Sequence, residues 1–232
     1  ELGTSVNALG LPNPGLMKAL EFAPDLARRA EQADKTITWS VAGFSPLEYV
    51  RLASELEKYG AVELNLGCPN VWIGTEQKPI ASFEPEVIDD ILERVTDRTK
   101  NPFTIKVSPY SDPRMVEGVA ALAKKFGVGG IVTSNTFPNG LMFRRGRTRA
   151  LDVEYGGVGG TAMREIALGQ VAQFRKALKG TTIALTGVGG VASGTDLASM
   201  LEAGADLVQI GTAFGTRGAR VLRRSASARR DR

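Results

Sequence analysis

The chain has 232 residues, 43% of them hydrophobic, with 27 glycines, a formal net charge of +4, one cysteine and no histidine. Such a length and apolar content support one sizeable core and exclude a disordered, collagen-like or disulfide-stapled chain. The lack of histidine excludes Ser-His and Cys-His nucleophile pairs and histidine-ligated zinc or iron, leaving Cys, Lys, Asp, Glu and Tyr as proton carriers.

Six short apolar runs read as strands, with segments of helical period between them. The first run is TITWSVAG, residues 36 to 43. Ser45-Pro46-Leu47-Glu48 then forms a capping box with proline at the first helical position, Leu52, Leu56 and Tyr59 fall on one face, and Gly60 stops the helix. AVELNL, 61 to 66, is the second strand, and the only cysteine follows it in GCPNV. A helix over 85–98 leads to the strand FTIKVS, 103 to 108, and Asp112-Pro113 opens a helix with Val116, Val119, Ala120 and Ala123 inward. GGIVTSN (129 to 135), a helix over 163–178, TIALTG (182 to 187), a short helix over 193–203 and LVQIGT (207 to 212) complete the series. From Arg217 to Arg232 there are seven arginines and one aspartate, so the rest of the chain carries a net −2. Residues 1–214 therefore read as one nearly balanced domain and 215–232 as a basic, solvated tail, with nucleic acid not the expected partner. Neither a secretory leader nor a bilayer-spanning run is evident, which points to a soluble, cytoplasmic protein with no membrane partner.

Continuous apolar runs are the pattern of parallel strands buried on both faces, and a βαβα order implies right-handed crossovers. The sheet is either a (β/α)8 TIM barrel or open and doubly wound. Glycine turns after the last two runs, TGVGG and IGTAF, favour the α/β barrel, in which the loops after strands seven and eight form a phosphate site. On that count the six runs are strands three to eight, and the barrel is expected to lack its first two strand-helix units in this chain.

Functional residues of a barrel stand at the carboxyl ends of its strands. Cys68, Asn135, Thr136, Gly189 and Thr212 are all so placed. A lone cysteine is usually a small buried apolar residue, but beside Gly67 and Pro69 it is expected to be exposed in a loop. Asn65 and Asn70 serve either as turn formers or as amides for a ligand. Lys106 interrupts an apolar strand and needs a bound ligand or an acid in the barrel mouth to balance it, unless it snorkels at an edge. The pairs Gly159-Gly160 and Gly189-Gly190 are ordinary turn glycines taken singly; their joint placement after consecutive strands is the signal.

SVNALGLPNPG, ELNLGCPNV, IKVSPY, IVTSNTFPNG, GGVGGTAMREIAL and ALTGVGGVASGTDLASMLEAGADLVQIGTAF, in this order from Ser5 to Phe214, together resemble dihydroorotate dehydrogenase. That family is a flavin mononucleotide (FMN) barrel of pyrimidine biosynthesis, and a cysteine in this loop is similar to the soluble class 1 enzymes. The resemblance implies that Cys68 is the base that removes a proton from substrate carbon 5 while hydride passes from carbon 6 to the flavin. It implies that Asn7, Asn65, Asn70, Asn135 and Thr136, with backbone amides of Leu9, Gly10 and Leu11, hold the dihydroorotate or orotate. Lys106 would lie beside the flavin and stabilise its reduced ring, with Asn65 also at the cofactor. Gly160, Gly189, Gly190, Gly211 and Thr212 would surround the flavin and its phosphate. The thiol is expected to serve once the site lowers its pKa modestly from about 8.5.

The resemblance further implies a homodimer, with fumarate as electron acceptor or NAD through an iron-sulfur subunit. The loops NVWIGTEQKPIASF and NTFPNGLMFRRGRTRAL depart from the family's pattern, as does the arginine-rich segment after Phe214. A tRNA dihydrouridine synthase shares the NLGCP loop but uses a histidine that is absent here. Two other readings are a flavin-free phosphate-binding isomerase, for which no strand end offers paired acids, and a non-catalytic incomplete barrel.

Overall fold

The computed structural model describes residues 3–73, 76–143 and 149–222. In chain order its first elements are β1 (Thr4–Asn7), α1 (Leu16–Gln32), β2 (Thr38–Val41), α2 (Pro46–Leu56), β3 (Ala61–Asn65), β4 (Trp72–Ile73), β5 (Glu76–Gln77) and α3 (Pro85–Thr96). Then come β6 (Phe103–Val107), α4 (Pro113–Lys125), β7 (Gly130–Thr133), β8 (Phe137–Gly140), β9 (Gly156–Gly160) and α5 (Arg164–Ala177). The last are β10 (Ala184–Val188), α6 (Gly194–Glu202), β11 (Leu207–Gln209) and α7 (Thr212–Arg217).

All six apolar runs form one parallel sheet in the order β11-β10-β7-β6-β3-β2. The strands stand in the order in which the chain makes them, and each helix from α1 to α6 packs on the next. A doubly wound sheet reverses direction at a switch point and carries helices on both faces. Unbroken order with the helices in sequence is instead the winding of a barrel, here a half-barrel whose edges β2 and β11 have no further strand among the described residues.

The core lies between sheet and helices. Leu64, Ile105, Ile131 and Leu185 project from the strands against Ile88, Ile91, Val119, Val171 and Phe174, all essentially inaccessible. Each such side chain contributes about 1.5–3 kcal/mol relative to exposure. The capping boxes hold. Ser45 accepts from the Glu48 N–H while the Glu48 carboxylate accepts from Phe44 N–H, and Ser193 accepts from the Asp196 N–H.

Burial on both faces holds along β7 and the middle of β3 and β10, and is corrected for β6. In β6, Phe103, Ile105 and Val107 are buried, while Thr104 and Lys106 point the other way and are half-buried. Register pairs Ser40 with Glu63 and Asn65 with Lys106, so polar residues line the inner face. Side chains on that face bond to one another and border a cavity, which apolar residues could not do.

Several elements were not legible in the sequence. α1 keeps a helical period through Leu16, Leu20, Ala23 and Ala27, but Pro24 within it reads as a helix breaker. β1, β9 and β8 form a separate antiparallel sheet, so Gly159-Gly160 lies in a strand rather than a turn. Glycine is required there by crowding: a Cβ at Gly157 would lie 2.1 Å from Thr136 Oγ1, and one at Gly160 would lie 1.8 Å from Gly3 O. Of the basic segment, α7 is helical and Val221 is buried, while residues 223–232 and 144–148 lie outside the described residues, as do 74–75 of the loop after the cysteine.

Candidate active site

The loop from Leu66 to Asn70 crosses the carboxyl end of the sheet. It passes so close to the next strand that a Cβ on Gly67 would stand 2.6 Å from Ser108 N. Cys68 is half-buried, and its thiol donates toward Gly10 O, with Sγ 3.9 Å away. Burial pushes the thiol up from its ordinary value, against the backbone N–H of Asn70 and the charges of Lys106 and Lys78, which favour the thiolate. The expected lowering is therefore corrected: desolvation outweighs one donor and two nearby cations.

The asparagines meet in two pairs, each joining distant parts of the chain. Asn70, 5% exposed, donates through Nδ2 to Asn7 Oδ1 at 2.9 Å, and Asn7 Nδ2 reaches Gly157 O at 3.4 Å. Asn135 Nδ2 donates to Asn65 Oδ1 at 2.9 Å, while its own Oδ1 accepts the Thr136 N–H at 2.8 Å. Tyr49 fixes the end of β3 by donating from its hydroxyl to Asn65 O at 2.9 Å. Gly10 and Leu11 lie against this cluster through Gly10 O and the wall beside Cys68, whereas the Leu9 side chain is 73% exposed.

Beside the asparagines opens a cavity of about 400 Å³, within the roughly 300–1,000 Å³ range of small-molecule sites. Asn7, Asn135 and Thr136 stand at one side, Lys106 in its floor, and Gly160, Gly189, Gly190, Gly211 and Thr212 around the rest. Every glycine expected at a cofactor, with Thr212, is thus gathered from three separate stretches: the end of β9, the loop after β10 and the start of α7. A Cβ at Gly211 would meet no atom within 4 Å, so this position opens onto free space. Among the described residues Lys106 and Arg217 are the charged ones in the lining, and no carboxylate joins them. Asn65 and Cys68 are not in this wall but border a smaller recess shared with Tyr49 and Lys78.

Lys106 has the acid that its position demanded. Its Nζ lies 3.3 Å from Gln209 Oε1 and 3.9 Å from Glu63 Oε1. Glu63 is 2% exposed and accepts from Ser40 Oγ and from Gln209 Nε2, each at 2.8 Å. One carboxylate on β3 therefore ties β2 at one edge of the sheet to β11 at the other. Glu63 was visible in AVELNL as an acid inside an apolar strand beside one carrying a lysine, a signal read only from the lysine's side. Gln209 and Ser40 gave no signal of their own. Lys78, half-buried, donates to Gly43 O at 2.9 Å, and burial lowers its pKa.

A buried glutamine completes the frame. Gln170, on α5, accepts from Tyr110 N–H at 2.6 Å and donates through Nε2 to Ser108 O at 2.9 Å and Thr133 Oγ1 at 2.7 Å, with Ser134 Oγ at 3.2 Å. These bonds hold together the loops after β6 and β7, from which Asn135 and Thr136 project.

Fold and site together define an α/β half-barrel with its polar groups gathered at the carboxyl ends of the strands. The family model for dihydroorotate dehydrogenase matches residues 1–226. Proteins named dihydroorotate dehydrogenase A (fumarate) from Streptococcus pyogenes serotypes M3 and M1 are 34% identical over 226 residues, covering 95% of this chain and 70% of their own length. A protein of the same name from Streptococcus agalactiae serotype Ia is 32% identical over 225 residues, with the same shares covered. The chain belongs to the dihydroorotate dehydrogenase family, and its cysteine loop places it with class 1. No helix among the described residues is long and apolar enough to cross a membrane.

Proposed function

We propose that this chain oxidises dihydroorotate to orotate with FMN in pyrimidine biosynthesis and passes the electrons to fumarate, the acceptor in the streptococcal relatives' name. The observation that carries the reading is the cavity: two cations, no carboxylate and a ring of glycine backbone, next to two asparagine pairs and a thiol. That donor set fits FMN. A phosphate dianion suits backbone N–H groups and cations, and an acidic wall would repel it.

When bound, the flavin supplies the hydride acceptor. Gly189, Gly190, Gly211 and Thr212 would hold its phosphate end, and Lys106 and Asn65 its ring. Asn7, Asn70, Asn135 and Thr136 would orient the substrate, because an amide offers a donor and an acceptor in one plane and matches a pyrimidine without adding charge. In the ligand-free state the asparagines satisfy one another, so substrate exchanges these bonds rather than meeting bare groups. Cys68 accepts the proton from carbon 5 as thiolate, favoured by Lys106 and Lys78. Two further strands between β2 and β11 would bring the half-barrel to the eight of the family fold. A homodimer in the cytoplasm belongs to the same reading.

The test is the visible spectrum of the protein with FMN, before and after anaerobic dihydroorotate. The native chain should show a bound-flavin band that bleaches. Cys68→Ala should keep the band and lose the bleaching; bleaching at the native rate would remove Cys68 as the base.

A further inference from the structure

We propose that Glu63 is the positioning residue of Lys106: a buried carboxylate that, through Gln209, aims the ammonium at the cavity and offsets its charge from below. The inference rests on the flavin reading only for its second measurement. It starts from the chemistry of the three groups. An ionised carboxylate only accepts hydrogen bonds and an ammonium only donates them. Gln209 stands between the two, with its Nε2 2.8 Å from Glu63 Oε2 and its Oε1 3.3 Å from Lys106 Nζ. The carboxylate thereby fixes the amide's orientation: its NH2 turns to Glu63, so its carbonyl turns to Lys106.

Lys106 has three N–H donors, and Gln209 is its hydrogen-bond partner among the described residues. The remaining donors are available to a ligand in the cavity whose floor it forms. At 3.9 Å, Glu63 Oε1 is beyond hydrogen-bond length, so the acid balances the charge without drawing Nζ down into the sheet. Ser40 Oγ, on the neighbouring strand, takes up the same oxygen at 2.8 Å and keeps it from swinging toward the lysine. Glu63 is absent from the cavity wall and touches no space a ligand could fill. Its effect on a ligand would pass through Lys106, which makes it a positioning residue rather than a catalytic one.

The experiment has two readouts on Glu63→Gln, with Glu63→Leu as a second variant that places no polar atom in the site should the first fail to fold. In the ligand-free protein, competitive acetylation followed by mass spectrometry compares Lys106 with exposed Lys179 in the same sample. Loss of the carboxylate releases the amide and with it the held Nζ, and labelling of Lys106 relative to Lys179 should rise about tenfold, equivalent to about 1.4 kcal/mol. With FMN bound, the flavin midpoint potential should shift upward, because an ammonium no longer offset from below better stabilises the electron-rich ring. The upward shift should shrink by more than half in a Lys106→Met background. Unchanged labelling overturns the proposal whether or not flavin binds, and so does a potential shift of equal size with and without Lys106. Raised labelling in a protein that binds no FMN supports the positioning role and refutes the flavin reading instead.

Discussion

Replacing Gln170 with leucine strips the frame that holds two site loops while leaving side-chain bulk almost unchanged. Gln170 is 2% exposed and serves two backbone groups, accepting from Tyr110 N–H and donating to Ser108 C=O. Thr133 Oγ1 and Ser134 Oγ, its other partners, lie 2.8 Å apart and can still bond each other. The substitution therefore orphans chiefly the two backbone groups. At about 1–3 kcal/mol for each buried group left unpaired, the loss is about 2–6 kcal/mol, a large part of the roughly 5–15 kcal/mol stability of a domain. For a chain of this length each kcal/mol moves Tm by about 2–4 °C, so the midpoint should fall by roughly 4–24 °C. The assay is thermal unfolding by circular dichroism beside Gln173→Leu, the same change on the exposed side of the same helix. A midpoint for Gln170→Leu within about 1 °C of the Gln173→Leu value, well under the shift per kcal/mol, would refute the reasoning.

The rate of anaerobic flavin bleaching by dihydroorotate should keep rising with pH beyond the ordinary thiol value of about 8.5, because burial holds Cys68 up and the thiolate fraction grows only above its own pKa; stopped-flow traces that level off below pH 7 would contradict this. Lys106→Met, which removes one cation favouring the thiolate, should move the rising limb further to alkaline pH in the same traces. Asp196 is held below the usual carboxylate range: burial opposes, but bonds from Ser193, the Ala192 N–H and Arg164 prevail. Its ionised form thus adds stability that is fully present above the unfolded value of about 3.9 and is lost as pH falls through the lower folded value. Asp196→Asn should cost about 1–3 kcal/mol in urea unfolding at pH 7, with the gap to the native chain closing in strong acid. Gly211→Ala should leave the thermal midpoint nearly unchanged, since a Cβ there meets nothing within 4 Å, yet weaken FMN binding in a fluorescence titration; equal affinity would move the cofactor elsewhere.

Much of the architecture was legible because it is set by neighbours in the chain. Ser45-Pro46 and Ser193 cap helices through groups three residues away, and the alternation of strands and helices follows from short-range hydrophobic period. The strand pattern placed Cys68, Asn135, Gly189 and Thr212 just after strands, where the fold does put them. The helix α1 was hidden by Pro24, and β9 by glycines that signal a turn until their crowded neighbours are known.

What the sequence by itself determined is a parallel α/β chain with one thiol and one strand lysine at the carboxyl ends of its strands. Only the tertiary structure decided what those groups face. Asn135 finds Asn65 across 70 positions and Gln209 finds Glu63 across 146. It also decided the direction of the thiol's pKa, since loop position suggested exposure and packing around Cys68 imposed burial instead. Local pattern fixes which face of a strand a side chain takes, because the pleat alternates every residue. The partner across that face depends on strand order and curvature, which arise only when the whole sheet is wound.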